Sequence, residues 1–231
     1  MLILNIETST TVCSVTLSDN EKIISEKISY EPNSHSRLLA GFIENIFKEN
    51  KIEPSSIDAV AVSEGPGSYT GLRIGVSTAK GIAYSLNKPM IAVDTLQIMT
   101  LRAIEQNPEL ANEQTFFCPM IDARRMEVYS AFYDFEANKI SETTNIIIDE
   151  HSFLTPLHKK RIVFFGDGAE KCKTIITHEN AIFTDEIFPL STNMVNISME
   201  YYKQNKFVDV AYFEPFYLKP FIATTPKNKF I

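Results

Sequence analysis

Residues 57–86 read IDAVAVSEGPGSYTGLRIGVSTAKGIAYSL. The segment begins with a short apolar run, Ile57–Ser63, whose apolar residues occupy both faces near its end, as in a strand that is covered on both sides. A glycine-rich loop, Gly65–Gly71, follows and leads into a helical pattern that extends to about Leu86. A buried strand, a tight loop and a long helix in this order predict a layered α/β protein.

The sequence on either side continues this alternation. Downstream, a strand pattern at Met90–Asp94 is followed by a helical pattern at Thr95–Glu105. Upstream, a helical pattern starts near residues 34–36 and is preceded by three short strand patterns, which favour an antiparallel meander: Leu2–Ile6, Val12–Leu17 and Lys22–Ser29. An antiparallel unit followed by crossover connections predicts a ribonuclease-H-like layer.

The second half of the chain begins in the same way but continues with shorter elements. The polar connector Asn107–Gln114 predicts a boundary between two domains, residues 1–106 and residues 107–231. Beyond it we expect, in order, three strands, a helix, a strand and a helix, at Phe116–Asp122, Glu127–Asp134, Lys139–Ile148, Glu150–His158, Ile162–Phe165 and Ala169–Ile176. These patterns predict a duplicated α/β fold with a reduced second copy, followed by an extended tail that contains Pro215, Pro220 and Pro226.

Composition restricts the class of protein. Of 231 residues, 44% are hydrophobic, and 22 Lys+Arg against 29 Asp+Glu give a net charge of −7, which disfavours nucleic-acid binding by the chain alone. Three widely spaced cysteines argue against a disulfide framework and a zinc ribbon. The N-terminus lacks the basic residues of a signal peptide, and no segment has the roughly 20 apolar residues of a membrane helix. We therefore expect a cytoplasmic protein with no membrane association.

Motifs for metal-dependent or nucleophilic catalysis are not found. None of the four histidines forms an HExxH or HxxxH pattern, and no GxSxG occurs. The loop with Gly65, Gly67 and Gly71 matches neither the P-loop nor the dinucleotide-binding pattern. Two readings stay open for it: a loop that binds phosphate or a partner at a helix N-terminus, or a tight turn that packs against its own domain. We expect no catalytic residues and no metal site.

Two helical patterns carry more apolar positions than one covered face requires. Either both helices are sandwiched within their own domain, or they form a surface for another subunit. In the second case the interface residues would be Leu38, Leu39, Phe42, Ile43 and Ile46 in the first helix and Leu72, Gly75, Val76, Ala79 and Ala83 in the second.

A pair of arginines forms a third candidate site. Asp122-Ala123-Arg124-Arg125 lies between two strand patterns. Arg124 and Arg125 either bind an anionic group, because guanidinium recognises phosphate and carboxylate in a bidentate manner, or belong to a turn with a local ion pair.

Seven segments, in this order along the chain, resemble the TsaB family (also called YeaZ). The segment GPGSYTGLRIGVSTAKG at residues 65–81 is highly specific, and the others are individually weak: LILNIETST at 2–10, HSRLL at 35–39, PMIAVDTL at 89–96, IDARRMEVY at 121–129, FGDGA at 165–169 and PFYLKP at 215–220. The resemblance covers nearly the whole chain. It implies two ribonuclease-H-like domains in an actin-like ATPase fold.

The same resemblance implies a function in tRNA modification. Members of the family are accessory subunits for making N6-threonylcarbamoyladenosine on the adenosine 3′ of the anticodon. The implied partners are the catalytic paralogue TsaD, which the subunit binds and activates, and the small ATPase TsaE. Alone, the chain would form a homodimer through the same two helices, and tRNA would be reached only through the complex. No cofactor is expected in the isolated chain, whereas ATP or ADP could bind at the interface beside Arg124 and Arg125.

The sequence also departs from the active members of the superfamily. The first phosphate loop reads Glu7-Thr8-Ser9-Thr10, without glycine and with glutamate where relatives more often have aspartate. Gly166-Asp167-Gly168 is the only remnant of an adenosine-binding glycine pair. These departures favour an accessory subunit. A divergent small-molecule kinase with Glu7 as base is the alternative, and a peptidase has no supporting motif.

Overall fold

The computed structural model describes residues 1–184 and 187–218, and these form two α/β lobes. The helices and strands are β1 (Leu2–Glu7), β2 (Cys13–Asp19), β3 (Lys22–Ser29), α1 (His35–Asn50), β4 (Ala59–Gly65), α2 (Tyr69–Leu86), β5 (Met90–Asp94), α3 (Thr95–Gln106), β6 (Thr115–Asp122), β7 (Glu127–Ser130), β8 (Thr144–Ile147), α4 (Leu154–Leu157), β9 (Arg161–Phe165), β10 (Ala181–Phe183) and α5 (Val195–Lys203). The predicted proline-containing tail lies largely outside the described residues.

The two lobes repeat one sheet topology. The first sheet has the order β3-β2-β1-β4-β5 and the second has the order β10-β9-β6-β7-β8. In each sheet, the central strand (β1 or β6) pairs antiparallel with the strand that follows it in sequence (β2 or β7), which in turn pairs antiparallel with the edge strand β3 or β8. On its other side the central strand pairs parallel with β4 or β9, which pairs parallel with β5 or β10. The predicted duplication of an α/β fold with a reduced second copy is therefore confirmed.

Helices cover the two sheets unequally. In the first lobe, α1 and α2 pack on one face of the sheet, where Leu4, Ile6 and Val62 meet the apolar rows of both helices. In the second lobe, two predicted helices are much shorter than expected. Phe153 adopts a left-handed φ of 64°, which confines α4 to four residues. The segment predicted as Ala169–Ile176 forms a single 3-10 turn, Glu170–Cys172, before a run of β-branched residues that helices disfavour.

The helix α3 joins the lobes. Its residue Ile98 packs on Ile91 and Val93 of the first sheet, whereas Leu96 and Met99 belong to the core of the second lobe. One continuous helix is thus shared by both hydrophobic cores, so the boundary that we predict at residues 106 and 107 comes at the end of a shared element.

The C-terminal helix α5 returns to the first lobe. Met194 and Ile197 pack on the face of the first sheet opposite α1 and α2. Buried hydrogen bonds accompany this packing: the Ser198 hydroxyl donates to Asn5 Oδ1 at 2.7 Å, and Ser191 Oγ lies 2.7 Å from Thr16 Oγ1. Residues 191–203 therefore complete the first lobe, although the predicted domain division assigns them to the second. Among the described residues, no helix is both long enough and apolar enough to cross a membrane.

Candidate functional site

A cleft of about 830 Å³ lies between the lobes. The first lobe contributes the turn after β1, the segment before α1 and the glycine-rich loop before α2. The second lobe contributes the β6–β7 hairpin turn and Asp167. Residues 216–218 line the same cleft. The glycine-rich loop and the arginine pair, far apart in sequence, are thus brought to one site.

The glycines of the loop allow it to pack directly on the turn that follows β1. A methyl group at Gly67 or Gly71 would collide with the carbonyl oxygens of Ser9 or Thr8. Two hydrogen bonds fix this contact: Ser68 N donates to Ser9 O at 2.6 Å, and Thr8 Oγ1 donates to Gly71 O at 2.8 Å. The structure therefore supports the packing role for these glycines, and anion binding by the loop stays a prediction.

Gly65 has a different reason to be glycine. Its φ is 114°, and an added Cβ would lie 2.8 Å from the carbonyl oxygen of Phe216. Phe216 N donates to Glu64 O at 2.7 Å, so the segment around Phe216 runs along the start of the loop. Side chains hold the same segment on α2, because Lys80 Nζ donates to Ala211 O at 2.9 Å. Sequence reasoning missed this contact, since it joins regions that are remote in the chain.

Polar groups at the base of the cleft are only partly satisfied. Ser9 and Thr10 are buried, and within residues 1–184 and 187–218 neither hydroxyl has a hydrogen-bond partner. The N-terminus of α2 lies beside them, where Ser68 Oγ accepts from Gly71 N at 3.2 Å. Free backbone N–H groups and the helix dipole at such a terminus favour negative charge.

Glu7 does not reach this cleft. Its carboxyl group is fully buried at the end of β1, and Oε1 accepts from Ser9 N at 2.6 Å. Loss of hydration on burial raises the pKa of Glu7 to about 7, and the backbone amides of Ser9 and Thr8 reduce the shift. The kinase alternative requires Glu7 as a base, and a base that is covered by its own lobe cannot contact a substrate without rearrangement.

The arginine pair forms the tip of the β6–β7 hairpin. Arg124 and Arg125 have consecutive left-handed φ angles of 68° and 51°. Ala123 N donates to Glu127 O at 3.1 Å and Glu127 N donates to Arg124 O at 3.2 Å, which closes the turn. Both arginines are exposed and line the cleft. The segment is a turn, as one of the two alternatives has it, but the ion pair joins Asp122 to Lys171, and anion binding by Arg124 and Arg125 stays a prediction.

Most of the predicted interface residues belong to the interior of the first lobe. The side chains of Leu39, Ile43, Ile46, Leu72, Val76, Ala79 and Ala83 are buried, with 8% exposure or less, because these rows face the sheet. Gly75 is also buried, and a methyl group there would collide with Thr8 Oγ1 rather than meet a partner. Only Leu38 and Phe42 of the ten predicted residues are partly exposed.

A different row of the same helices is partly exposed. Leu38, Phe42, Ile74 and Ile82 are half-buried, and the glycines Gly41 and Gly81 have open space where a side chain would stand. We call these six residues the outer face of α1 and α2. Sequence periodicity separates the rows of a helix, but it does not tell which row faces the sheet.

The cysteines and the Gly166-Asp167-Gly168 segment are both packed within the fold. The cysteines Cys13, Cys118 and Cys172 are free thiols in the hydrophobic interior. In the part of the chain that the structure describes, no three His, Cys, Asp or Glu side chains are grouped as metal ligands would be. Gly166-Asp167-Gly168 packs against β6, where Asp167 Oδ1 accepts from Asp122 N at 2.9 Å.

Comparisons with known proteins agree on one family. The family model "TsaD: tRNA N6-adenosine threonylcarbamoyltransferase" matches residues 23–208. The tRNA threonylcarbamoyladenosine biosynthesis protein TsaB of Escherichia coli K12 is 30% identical over 96% of this chain and 96% of its own length. The protein of the same name from Bacillus subtilis 168 is 28% identical over 76% of this chain and 75% of its own.

A solved structure supports the fold. YeaZ from Pseudomonas aeruginosa superposes with a TM-score of 0.80 and 23% identity, over 94% of this chain and 99% of that protein. Together with the two repeated sheets, this similarity confirms the expected two-domain α/β actin-like fold.

Proposed function

The chain belongs to the TsaB family, also called YeaZ, and from this premise we propose that it is the accessory subunit that binds and activates TsaD in tRNA threonylcarbamoyladenosine biosynthesis. The similarity to TsaB over 96% of both chains carries the proposal. A relationship to TsaD itself adds support, because the matching family model bears that name. TsaE as the third partner, tRNA contact only through the complex and a cytoplasmic location are parts of the same proposal.

The outer face of α1 and α2 is the proposed surface for TsaD. Its half-buried apolar side chains leave apolar area in water, and Gly41 and Gly81 allow another backbone to come close. A paralogue of the same fold presents corresponding helices, so two pairs of helices can pack as a four-helix bundle. A homodimer would use the same face, so we expect it to compete with TsaD.

The cleft is the proposed place for a nucleotide in the assembled complex. Arg124 and Arg125 project from one side, and the N-terminus of α2 lies on the other. Both features favour phosphate. We do not assign chemistry to the chain by itself: Glu7 is buried away from the cleft, so we expect neither ATP turnover nor peptidase activity without partners.

Co-migration with TsaD tests the proposed surface. We expect Phe42→Glu to remove both the complex and the homodimer, because a carboxylate would be buried without a counter-charge at the interface, at a cost of about 3 kcal/mol or more. Ala40→Glu, on an exposed position of the same helix, is the matched control and should leave both intact. The measurement is light scattering of each variant, alone and with TsaD, beside a thermal melt. A folded Phe42→Glu variant that still binds TsaD would place the interface elsewhere.

A further inference from the structure

The tip of the β6–β7 hairpin has a backbone conformation that its residues do not favour. Arg124 and Arg125 occupy the left-handed region in succession, at φ angles of 68° and 51°. Residues other than glycine, asparagine and aspartate rarely adopt this backbone region, so contacts with neighbouring residues have to stabilise the turn. The residue that does so is not in the hairpin.

Lys171 supplies the restraint from the 3-10 turn Glu170–Cys172. Its ammonium donates to Arg125 O at 2.8 Å and to Glu127 O at 2.7 Å, and it forms an ion pair with the Asp122 carboxylate. These three bonds use all three donors of the ammonium group. The ammonium therefore joins the last residue of β6, the tip of the turn and the first residue of β7.

Asp122 extends the same network to the first arginine. Its Oδ1 accepts from Arg124 N at 2.9 Å, and its own amide donates to Asp167 Oδ1 at 2.9 Å. Lys171 and Asp122 thus fix the backbone of both arginines without touching their guanidinium groups. The Lys171 side chain is 23% exposed, so it is partly shielded from competing water.

The guanidinium groups themselves are left available. Both arginines are exposed at the cleft, and within residues 1–184 and 187–218 neither guanidinium has a hydrogen bond or an ion pair. Charge-assisted hydrogen bonds to phosphate require the guanidinium groups to point in a defined direction. Because the backbone of the turn is already fixed, it loses less conformational entropy when phosphate binds.

We propose that Lys171 is a positioning residue, which holds the Arg124–Arg125 turn in the conformation that receives the phosphate groups of a nucleotide in the cleft. The inference rests on the proposed nucleotide contact of Arg124 and Arg125. It adds the prediction that the contact depends on a residue more than 40 positions away that touches no ligand.

Limited trypsin digestion tests the restraint without any ligand. Trypsin cleaves after arginine, so the turn carries its own probe at Arg124 and Arg125. We expect Lys171→Met to accelerate cleavage at these two sites about tenfold, because local opening of the turn becomes easier. Lys173→Met is the matched control: Lys173 pairs with exposed Glu170 and does not contact the turn, so the rate should equal that of the wild type. Equal rates in all three proteins would overturn the proposal.

Association with TsaD, with and without ATP, tests the positioning role. If the cleft holds a nucleotide in the complex, ATP should strengthen the association of the wild type with TsaD. We expect Lys171→Met to reduce this stimulation by ATP while leaving nucleotide-free association unchanged, and Lys171→Arg to restore part of it. A general loss of structure would change both associations and the melting temperature. If Lys171→Met does not fold, Lys171→Gln replaces it in both experiments.

The two proposals can fail separately. If Arg124→Ala/Arg125→Ala loses the stimulation by ATP and Lys171→Met keeps it, the positioning role is wrong and the nucleotide contact stands. If the double variant keeps the stimulation, the nucleotide contact is wrong, and the inference that rests on it falls as well.

Discussion

Glu7 is a fully buried carboxylic acid whose surroundings raise its pKa into the neutral range. Its Oε2 has no hydrogen-bond partner in the described part of the chain, and no basic side chain contributes to the shift that burial causes in its pKa. With a pKa of about 7, the group is close to half protonated at neutral pH. An ionised carboxylate in this place costs free energy that the folded state has to supply.

Stability should therefore fall as the pH rises through the range between the two pKa values of Glu7. The folded-state pKa of about 7 lies above the ordinary value of 4.5, so the folded protein binds more protons in this range and loses stability with rising pH. Glu7→Gln does not titrate. We expect its stability relative to the wild type to increase by about 2–3 kcal/mol between roughly pH 5 and pH 8.

Urea unfolding of both proteins at the two pH values measures this difference, and Glu44→Gln, at an exposed position of α1, controls for the loss of a surface carboxylate. A difference between Glu7→Gln and the wild type that does not change with pH would show that Glu7 titrates normally in the folded protein.

The helix α2 shows how one element serves two neighbours. Its buried row packs on the first sheet and on the turn after β1, whereas Ile74, Gly81 and Ile82 remain at the outer face. Gly75 and Gly81 therefore have opposite surroundings within one helix: Thr8 Oγ1 occupies the space beside Gly75, and nothing lies within 4 Å of the position that a Cβ of Gly81 would take.

Alanine at these two positions should change stability in opposite directions. Gly75→Ala forces Thr8 away from its hydrogen bond to Gly71, and we expect a loss of about 1–3 kcal/mol. Gly81→Ala adds a helix-favouring side chain in open space, and we expect a gain of up to about 1 kcal/mol. Denaturant unfolding of the pair provides the measurement, each variant being the control of the other. Equal effects would mean that α2 does not pack on Thr8 as described.

The helices and strands of the first half follow from local patterns, whereas in the second half strands β6, β7 and β9 form where the patterns predict them and the helices do not. Residues 57–86 combine a β-rich run, a glycine loop and a 3.6-residue period, and β4 and α2 form there. The restriction of α4 to Leu154–Leu157 depends on the left-handed conformation of Phe153, which no periodicity reveals. The helix α5 was missed because Ser191 and Ser198, which anchor it, look like surface residues until Thr16 and Asn5 are placed opposite.

For the site, sequence reasoning identified the glycine loop and Arg124–Arg125 but not what connects them. Their meeting in one cleft follows from the placement of the two lobes, and Lys171 is recognisable only from its contacts. Most of the predicted interface residues lie in the helix row that packs on the sheet, because a helical pattern does not tell which of its rows faces the sheet.

Over the full chain, the net charge disfavours binding of nucleic acid without a partner. The net charge is −7, and the arginines of the cleft lie beside acidic residues such as Asp122 and Asp167. Binding of a nucleic-acid backbone requires contiguous basic surface, and the affinity of such binding increases as the salt concentration is lowered. In a complex, the basic surface for tRNA would have to come mainly from partners.

The dissociation constant of the isolated chain for tRNA should therefore not be lower than about 1 μM at physiological salt, which is the tightest value typical of non-specific binding. Fluorescence anisotropy with labelled tRNA over a salt series provides the measurement, and the complex with TsaD serves as the positive control. Submicromolar, salt-dependent binding by the chain alone would contradict this expectation.

The return of α5 to the first sheet has a consequence for synthesis on the ribosome. Strands β1 to β5 are complete by residue 94, but Met194 and Ile197, which cover one face of their sheet, are translated about a hundred residues later. At roughly 5–20 residues per second, the part of that face that α3 does not cover stays exposed for about 5–20 seconds. The lobe that is made first is therefore finished last. During that interval Ile3 of β1 lacks its neighbours Met194 and Ile197, so we expect chaperones that recognise apolar surface to bind the nascent form.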